Sequence, residues 1–222
     1  IDTLIPVVAL ATDGDAFSPN GDGERDLIKN LVSATTVAKI DRWALSIFNA
    51  SGRAVRNFTG GRGSISLPEV VVWDGLDDEG VPALDGFYRT SIGVEYMKGN
   101  VVEVVTDPYL LDASSPQVDI RTELDDPDLP FSPDDDGVND QLTIFLDAQD
   151  DGGIASWSLQ ILDPHNEVFA ASSGSGAPPA FKWDGYSSET GELVQAAVDY
   201  TLELSVADMV GNRGVTSTIV PI

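Results

Sequence analysis

Two acidic loops of similar sequence carry the residue types that bind hard cations. Residues 17–26 read Phe-Ser-Pro-Asn-Gly-Asp-Gly-Glu-Arg-Asp, and residues 131–140 read Phe-Ser-Pro-Asp-Asp-Asp-Gly-Val-Asn-Asp. Calcium ions bind roughly six to eight oxygens from carboxylates, amides, backbone carbonyls and water. The loops are therefore candidate calcium sites, and glycines within them allow the backbone to fold tightly. The candidate ligands are Asn20, Asp22, Glu24 and Asp26 in the first loop, and Asp134, Asp136, Asn139 and Asp140 in the second.

The same composition is also typical of solvated turns, in which Asn and Asp side chains accept hydrogen bonds from nearby backbone amides. In the first loop, Arg25 and Lys29 offer a basic partner for Asp26, so both interpretations remain open there. In the second loop the balance favours a cation, because no Lys or Arg lies between Arg121 and Lys182 and neighbouring carboxylates repel each other. Neither loop is an EF-hand, since the closing bidentate glutamate is missing.

The residues around the loops form a repeat with the period of β-strands. In the segment 40–48, Trp43, Leu45 and Ile47 alternate with small or polar residues, which indicates a half-buried strand. The segment 4–10 contains a proline, which indicates an edge strand. Further strands are predicted at 27–32, 54–58, 70–73, 86–97, 101–105, 157–161 and 200–206. No segment has helical periodicity, so the sequence predicts an all-β chain with a β-sandwich in each repeat, at residues 1–112 and 113–222.

Four tryptophans, Trp43, Trp73, Trp157 and Trp183, occupy equivalent places in the two repeats. Tryptophans placed among alternating apolar residues are usually core residues, and this is the interpretation we adopt. The alternative is a carbohydrate-binding module that uses exposed aromatic or loop residues. Enzymatic activity is not predicted, because the single histidine lies beside a proline in a predicted turn and no pair of acids stands out among 37.

Together, the Phe-Ser-Pro loop, the Trp-Asp-Gly sequence and a following Gly-x-Tyr resemble the Ig-like repeat named after the flagellar hook-capping protein. The loop is also similar to the start of type B sorting domains of gliding bacteria. The matching positions are 17–26, Trp73, Asp74, Gly75, Gly80, Gly86 and Tyr88, and then 131–140, Trp183, Asp184, Gly185, Gly191 and Tyr200. The resemblance implies two tandem Ig-like or fibronectin-III-like antiparallel β-sandwiches within a larger exported bacterial protein, and it implies no enzyme chemistry.

Charge limits the partners that the chain can have. Residues 1–112 carry 9 − 17 = −8 charges and residues 113–222 carry 3 − 20 = −17. We therefore expect no nucleic acid partner. We also expect no membrane insertion, because no run approaches 18 apolar residues, while a protein or glycan partner remains open. The resulting hypothesis is a structural or adhesion-type module of the cell surface, outer envelope, periplasm or extracellular space, with calcium in its acidic loops. Because the chain begins Ile-Asp-Thr, we also expect it to be a piece of a longer protein.

Overall fold

The computed structural model describes residues 7–35, 39–61, 66–195 and 197–222, and these residues form strands and turns without a helix. The chain divides into two compact units, Ile1–Ser114 and Ser115–Ile222. In the described part of the chain, no helix of the length and apolar character needed to cross a membrane is present.

The first unit contains two sheets. Its strands are β1 (Val8–Thr12), β2 (Ala16–Phe17), β3 (Ile28–Ala34), β4 (Ile40–Asn49), β5 (Ala54–Gly60), β6 (Val70–Trp73), β7 (Gly86–Tyr96), β8 (Val101–Val105) and β9 (Tyr109–Leu111). Strands β1, β3 and β6 form an antiparallel three-stranded sheet. The other sheet has the order β5-β4-β7, and both β8 and β9 pair with the far side of β7. Strand β1 is an edge strand, as predicted for the segment 4–10. The proline on which that prediction was based, Pro6, lies outside the described residues.

The second unit repeats this arrangement with seven strands. They are β10 (Gln117–Glu123), β11 (Leu142–Gln149), β12 (Ile154–Leu162), β13 (Val168–Ser175), β14 (Phe181–Trp183), β15 (Asp199–Asp208) and β16 (Arg213–Pro221). The sheet order is β10-β11-β14 in one layer and β13-β12-β15-β16 in the other, with antiparallel pairing throughout.

Alternation of apolar and polar residues explains how each unit builds one core between its two sheets. Strand β15 shows this clearly, because Tyr200, Leu202, Leu204 and Val206 are all buried and their neighbours are more exposed. Each core is a single cluster drawn from both sheets of its unit. The predicted fold class is confirmed: both units are antiparallel β-sandwiches of the Ig-like and fibronectin-III-like kind.

A tyrosine at the start of one long strand in each unit supports the same classification. In the first unit, the Tyr88 hydroxyl donates a hydrogen bond to the carbonyl of Leu84 at 2.6 Å. In the second unit, the Tyr200 hydroxyl accepts one from the amide of Gln195 at 3.2 Å. Such a tyrosine corner, bonded to the backbone a few residues upstream, is a recurrent feature of Ig-like sandwiches.

The prediction that the tryptophans belong to the cores is confirmed. Trp73, Trp157 and Trp183 are buried, and Trp43 is half-buried against the core of the first unit. They therefore form no exposed aromatic platform of the kind that stacks on sugars. In the first unit, two short strands were not predicted, β2 and β9, which pair in parallel over two residues. Segments this short contain too few residues to show a period.

Candidate functional site: two anchored acidic loops

The phenylalanine and tryptophan of the two sequence motifs are in contact. The rings of Phe17 and Trp73 have centroids 5.3 Å apart, and the rings of Phe131 and Trp183 lie 5.4 Å apart. All four side chains are buried. The Phe-Ser-Pro loop and the Trp-Asp-Gly turn are therefore two parts of one structural unit, which the sequence repeats but does not show to be joined.

The proline and the glycine of the two motifs are also in close contact. A Cβ atom added to Gly75 would lie 2.6 Å from Cγ of Pro19, and one added to Gly185 would lie 2.6 Å from Cγ of Pro133. Both glycines have a positive φ, of 77° and 81°. Only glycine meets both requirements without strain, so the glycine of Trp-Asp-Gly provides the space in which the proline of the acidic loop packs.

The aspartate of Trp-Asp-Gly shapes the turn that follows it. Asp74 Oδ1 accepts the amide of Leu76 at 3.1 Å, and the Trp73 indole donates to the carbonyl of Leu76 at 2.8 Å. The equivalent bonds in the second unit join Asp184 and Trp183 to Tyr186, at 3.2 and 3.0 Å. The Trp-Asp-Gly turn, against which each acidic loop packs, is thus held by one buried aromatic pair and by its own hydrogen bonds.

In the first loop, the predicted ligands accept hydrogen bonds from the loop's own backbone. Asp26 accepts the amides of Gly21 at 2.7 Å and Gly23 at 2.9 Å. Asn20 Oδ1 accepts the amide of Asp22 at 2.9 Å, and Asp22 Oδ1 accepts the amide of Glu24 at 2.7 Å. The loop is therefore a series of Asx turns closed by Asp26.

The second loop has the same hydrogen-bond pattern. Asp140 accepts the amides of Asp134, Asp135 and Gly137, at 3.1, 2.7 and 2.9 Å. Asp134 Oδ1 accepts the amide of Asp136 at 3.2 Å, and Asp136 Oδ1 in turn accepts the amide of the next residue but one, at 2.8 Å. Both loops therefore hold their polar side chains in the same order by the same backbone amides.

The loops differ at four positions, and one of them changes the number of aspartates that lie close together. In the first loop, the amide nitrogen of Asn20 donates to Asp22 Oδ2 at 3.1 Å. In the second loop, Asp134 takes the place of Asn20, and Asp134, Asp136 and Asp140 each offer an oxygen within 4.8 Å of the others. No such group of three acids occurs in the described first loop. There Glu24 occupies the position of Val138 in the second loop.

The side chain of Asn139 is directed to another task. It is buried, its Oδ1 accepts the amide of Asp126 at 2.8 Å, and its Nδ2 donates to the carbonyls of Asp126, Leu129 and Pro130 at 2.8, 3.2 and 3.1 Å. Asn139 therefore clamps the segment 126–130 beside the loop. A role as a metal ligand would require this side chain to give up those bonds.

Among the residues that the structure describes, no basic side chain forms an ion pair with an acid of either loop. Lys29, a candidate partner for Asp26, instead pairs with Asp13, with Nζ 3.7 Å from Oδ2, and its amide donates to the same side chain. The other ion pairs among the described residues join Arg42 with Glu95 and Arg121 with Asp147. The three acids of the second loop therefore lie close together without a described cationic partner.

The spacing of these three acids is compatible with a bound calcium ion. Two oxygens that bind one calcium ion at about 2.4 Å lie at most about 4.8 Å apart, and the oxygens of Asp134, Asp136 and Asp140 meet this limit. The loop is exposed or half-exposed, which leaves room for water to complete the coordination. The first loop has the amide oxygen of Asn20 in place of one of these carboxylates.

A separate groove lies on the outer face of the larger sheet of the first unit. Its volume is about 630 Å³, and its lining includes Phe48, Phe87, Arg89, Glu103 and Pro108. The Phe87 side chain is 57% exposed. In this groove the exposed Phe87 lies near the charged side chains of Arg89 and Glu103.

The chain is similar to known proteins in structure, but it matches no known protein family by sequence. No family profile and no curated protein sequence matches the chain. The solved structures that match include a tetra-tandem repeat from the extending region of a large adhesion protein, at 17% identity and a TM-score of 0.35, over 96% of this chain and 49% of that chain. The chain thus spans about half the length of that structure.

Two further matches are a two-domain fibronectin type III segment of chicken tenascin and a Ca²⁺-stabilised adhesin with which an Antarctic bacterium binds ice. The tenascin segment has 13% identity and a TM-score of 0.37, over 96% of this chain and 98% of that chain. The adhesin has 13% identity and a TM-score of 0.44, over 98% of this chain and 48% of that chain. With no family profile matched, the resemblance to the hook-capping family stays a prediction.

Proposed function

We propose that this chain is a non-catalytic structural or adhesion-type module of a larger exported bacterial protein. In this proposal the second unit binds a calcium ion through Asp134, Asp136 and Asp140. The observation that carries the proposal is the convergence of these three carboxylates within 4.8 Å of one another, on a loop anchored to the core. A location at the cell surface or in the envelope is part of the same proposal, because calcium is abundant outside the cytoplasm.

The chain's own residues explain why a cation would stiffen the loop. Two carboxylates about 4–5 Å apart repel each other by about 1 kcal/mol in water and by about 4 kcal/mol at an effective dielectric constant near 20. Backbone amides orient Asp134 and Asp136 and so keep their charges together. A bound divalent ion supplies positive charge that offsets this repulsion. The loop is thereby tied more firmly to the Phe131–Trp183 anchor.

The test is thermal unfolding of the protein in EDTA, in millimolar CaCl₂ and in equal MgCl₂. A ligand present at about 100 times its dissociation constant adds about 2.7 kcal/mol of stability if it binds only the folded state. We expect calcium to raise an unfolding transition by several degrees more than magnesium does. Equal effects of the two salts would contradict calcium binding.

Variants assign the effect to the loop. The double substitution Asp136→Asn and Asp140→Asn removes two of the three carboxylates, and calorimetric titration is expected to lose one calcium site. The matched control is Asp119→Asn with Asp199→Asn, which makes the same change in charge at exposed positions of the second unit. A titration that changes equally in both double variants would show that general charge, and not the loop, attracts the ion.

The alternative function, carbohydrate binding, is favoured by one observation only. The groove of the first unit combines the exposed Phe87 with Arg89 and Glu103, groups that can stack on and hydrogen-bond a sugar. If this groove binds glycans, soluble polysaccharides will bind the protein and Phe87→Ala will abolish the binding. An unchanged affinity of Phe87→Ala for polysaccharides would show that the groove is not the binding site.

A further inference from the structure

Residues Asn20 and Gly21 form the only Asn-Gly pair in the sequence, and Asn20 lies in the exposed first loop. An asparagine side chain becomes cyclic when the backbone nitrogen of the next residue attacks its amide carbon. A following glycine makes this attack easiest, because it has no Cβ to obstruct the approach. The sequence of this pair therefore permits the cyclisation. The hydrogen bonds around the pair determine whether the fold accelerates it.

Both reacting groups, the Gly21 amide and the Asn20 side-chain carbonyl, form hydrogen bonds within the loop. The amide N–H of Gly21, which must lose its proton to attack, donates to Asp26 Oδ1 at 2.7 Å. The amide N–H of Asp22 donates to Asn20 Oδ1 at 2.9 Å, on the oxygen where negative charge grows during the attack. A carboxylate on the nucleophile and a donor on the developing oxyanion are the groups that lower the barrier of such a reaction.

We propose that the first loop promotes deamidation of Asn20, with Asp26 as the proton acceptor. The Gly21 nitrogen forms a bond to Cγ of Asn20, and its proton passes through Asp26 to the departing side-chain nitrogen. The bond from Cγ to Nδ2 breaks, and ammonia leaves. Water then opens the five-membered imide ring, giving aspartate or isoaspartate at position 20, so that one water is consumed and one ammonia is released.

The product matters because the second loop already has its counterpart. An aspartate at position 20 stands where Asp134 stands in the second unit, in the same series of backbone hydrogen bonds. It also removes the Asn20 amide that donates to Asp22. The aspartate product therefore recreates in the first loop the three carboxylates of the second. A calcium site that appears as the protein ages is the consequence, and this consequence alone rests on the proposed function.

Peptide mapping by mass spectrometry measures the reaction directly, through the amide-to-acid mass shift in the peptide that contains Asn20. The folded protein is expected to react faster than the same chain unfolded in urea at the same pH and temperature. Asp26→Asn is expected to slow the reaction by about a hundredfold, the low end of what a positioned general base contributes. The matched control Asp15→Asn removes an exposed acid of the same unit and is expected to leave the rate unchanged.

The pH dependence separates assistance by Asp26 from simple hydrolysis. In the folded protein Asp26 takes the proton in place of hydroxide, so the rate there is expected to stay level across the neutral range. The rate in urea is expected to rise in proportion to hydroxide. An unfolded chain that reacts as fast as the folded one, or an unchanged rate in Asp26→Asn, would overturn the proposal, and the urea comparison remains valid if Asp26→Asn fails to fold.

The calcium consequence is tested with Asn20→Asp, which supplies the aspartate product without ageing. Calorimetric titration is expected to find one more calcium site in this variant than in the unmodified protein. If neither form of the protein binds calcium, the proposed function is contradicted. The deamidation rates do not depend on calcium, so they still test the deamidation proposal. Calcium binding by the second loop without an added site in Asn20→Asp would refute the consequence for the first loop.

Discussion

The close contact between Gly185 and Pro133 predicts a large cost for adding one methyl group. In Gly185→Ala, the new Cβ would lie 2.6 Å from Cγ and 3.2 Å from Cβ of Pro133, at a φ of +81°. The left-handed backbone costs an L-residue about 1 kcal/mol, and overpacking a tight contact costs about 1–3 kcal/mol. We therefore expect the second unit to lose about 2–4 kcal/mol of unfolding free energy.

Gly191 provides a matched control for the backbone part of this cost. Its φ is +73°, and a Cβ added there would meet nothing within 4 Å. Gly191→Ala is therefore expected to cost about 1 kcal/mol, from the backbone alone. The difference between the two variants isolates the contact that joins the acidic loop to the Trp-Asp-Gly turn.

The assay is thermal unfolding of both variants, followed by circular dichroism and by tryptophan fluorescence. A domain of about 100 residues shifts its melting temperature by about 4 °C or more per kcal/mol, so the two variants are expected to differ clearly. Pro133→Ala combined with Gly185→Ala is expected to recover part of the loss, because the clashing Cγ is gone. Equal shifts in Gly185→Ala and Gly191→Ala would refute the inferred contact.

Two further predictions concern buried polar groups. Burial raises the pKa of Tyr109 to about 12, although the hydrogen bond with Thr90 acts the other way. The pKa of an unfolded tyrosine is about 10, so the stability from this group is complete below about pH 10 and lost as pH rises through about 12. That loss is about 2–3 kcal/mol in urea unfolding and is absent in Tyr109→Phe. Asn139→Ala removes the hydrogen bonds to residues 126–130 and is expected to lower the free energy of unfolding by about 1–3 kcal/mol. Arg25→Ala, at the equivalent position of the first loop, is expected to lower it little. Equal losses in urea unfolding would contradict the role of the clamp.

The strands were predictable where the sequence has a clear period. The predicted strands at 70–73 and 101–105 match β6 and β8 in full, and the burial of Leu45 and Ile47 follows the predicted alternation. A side chain that alternates between two faces needs only local sequence to be assigned. The short parallel pair β2 and β9 was missed, because its partners are far apart in sequence and each is only two or three residues long.

The candidate site was predictable in composition and only partly in geometry. Asx turns in the acidic loops follow from local spacing, and the structure shows them in both loops. The direction of the Asn139 side chain was not predictable, because its partners at 126–130 are placed by the way the chain enters the loop. The group of three acids in the second loop could be expected from charge, since that loop has no basic neighbour in sequence.

The sequence by itself determined that the chain is a repeat of two β-sandwich units with paired acidic loops. Residue type and period carry that information, because strand alternation and Asx turns depend on neighbours along the chain. Only the tertiary structure decided that Pro19 packs on Gly75, that Pro133 packs on Gly185, and that each loop is anchored to a buried tryptophan. These contacts join segments about fifty residues apart, and they exist because closing the two sheets over one core brings those segments to the same place.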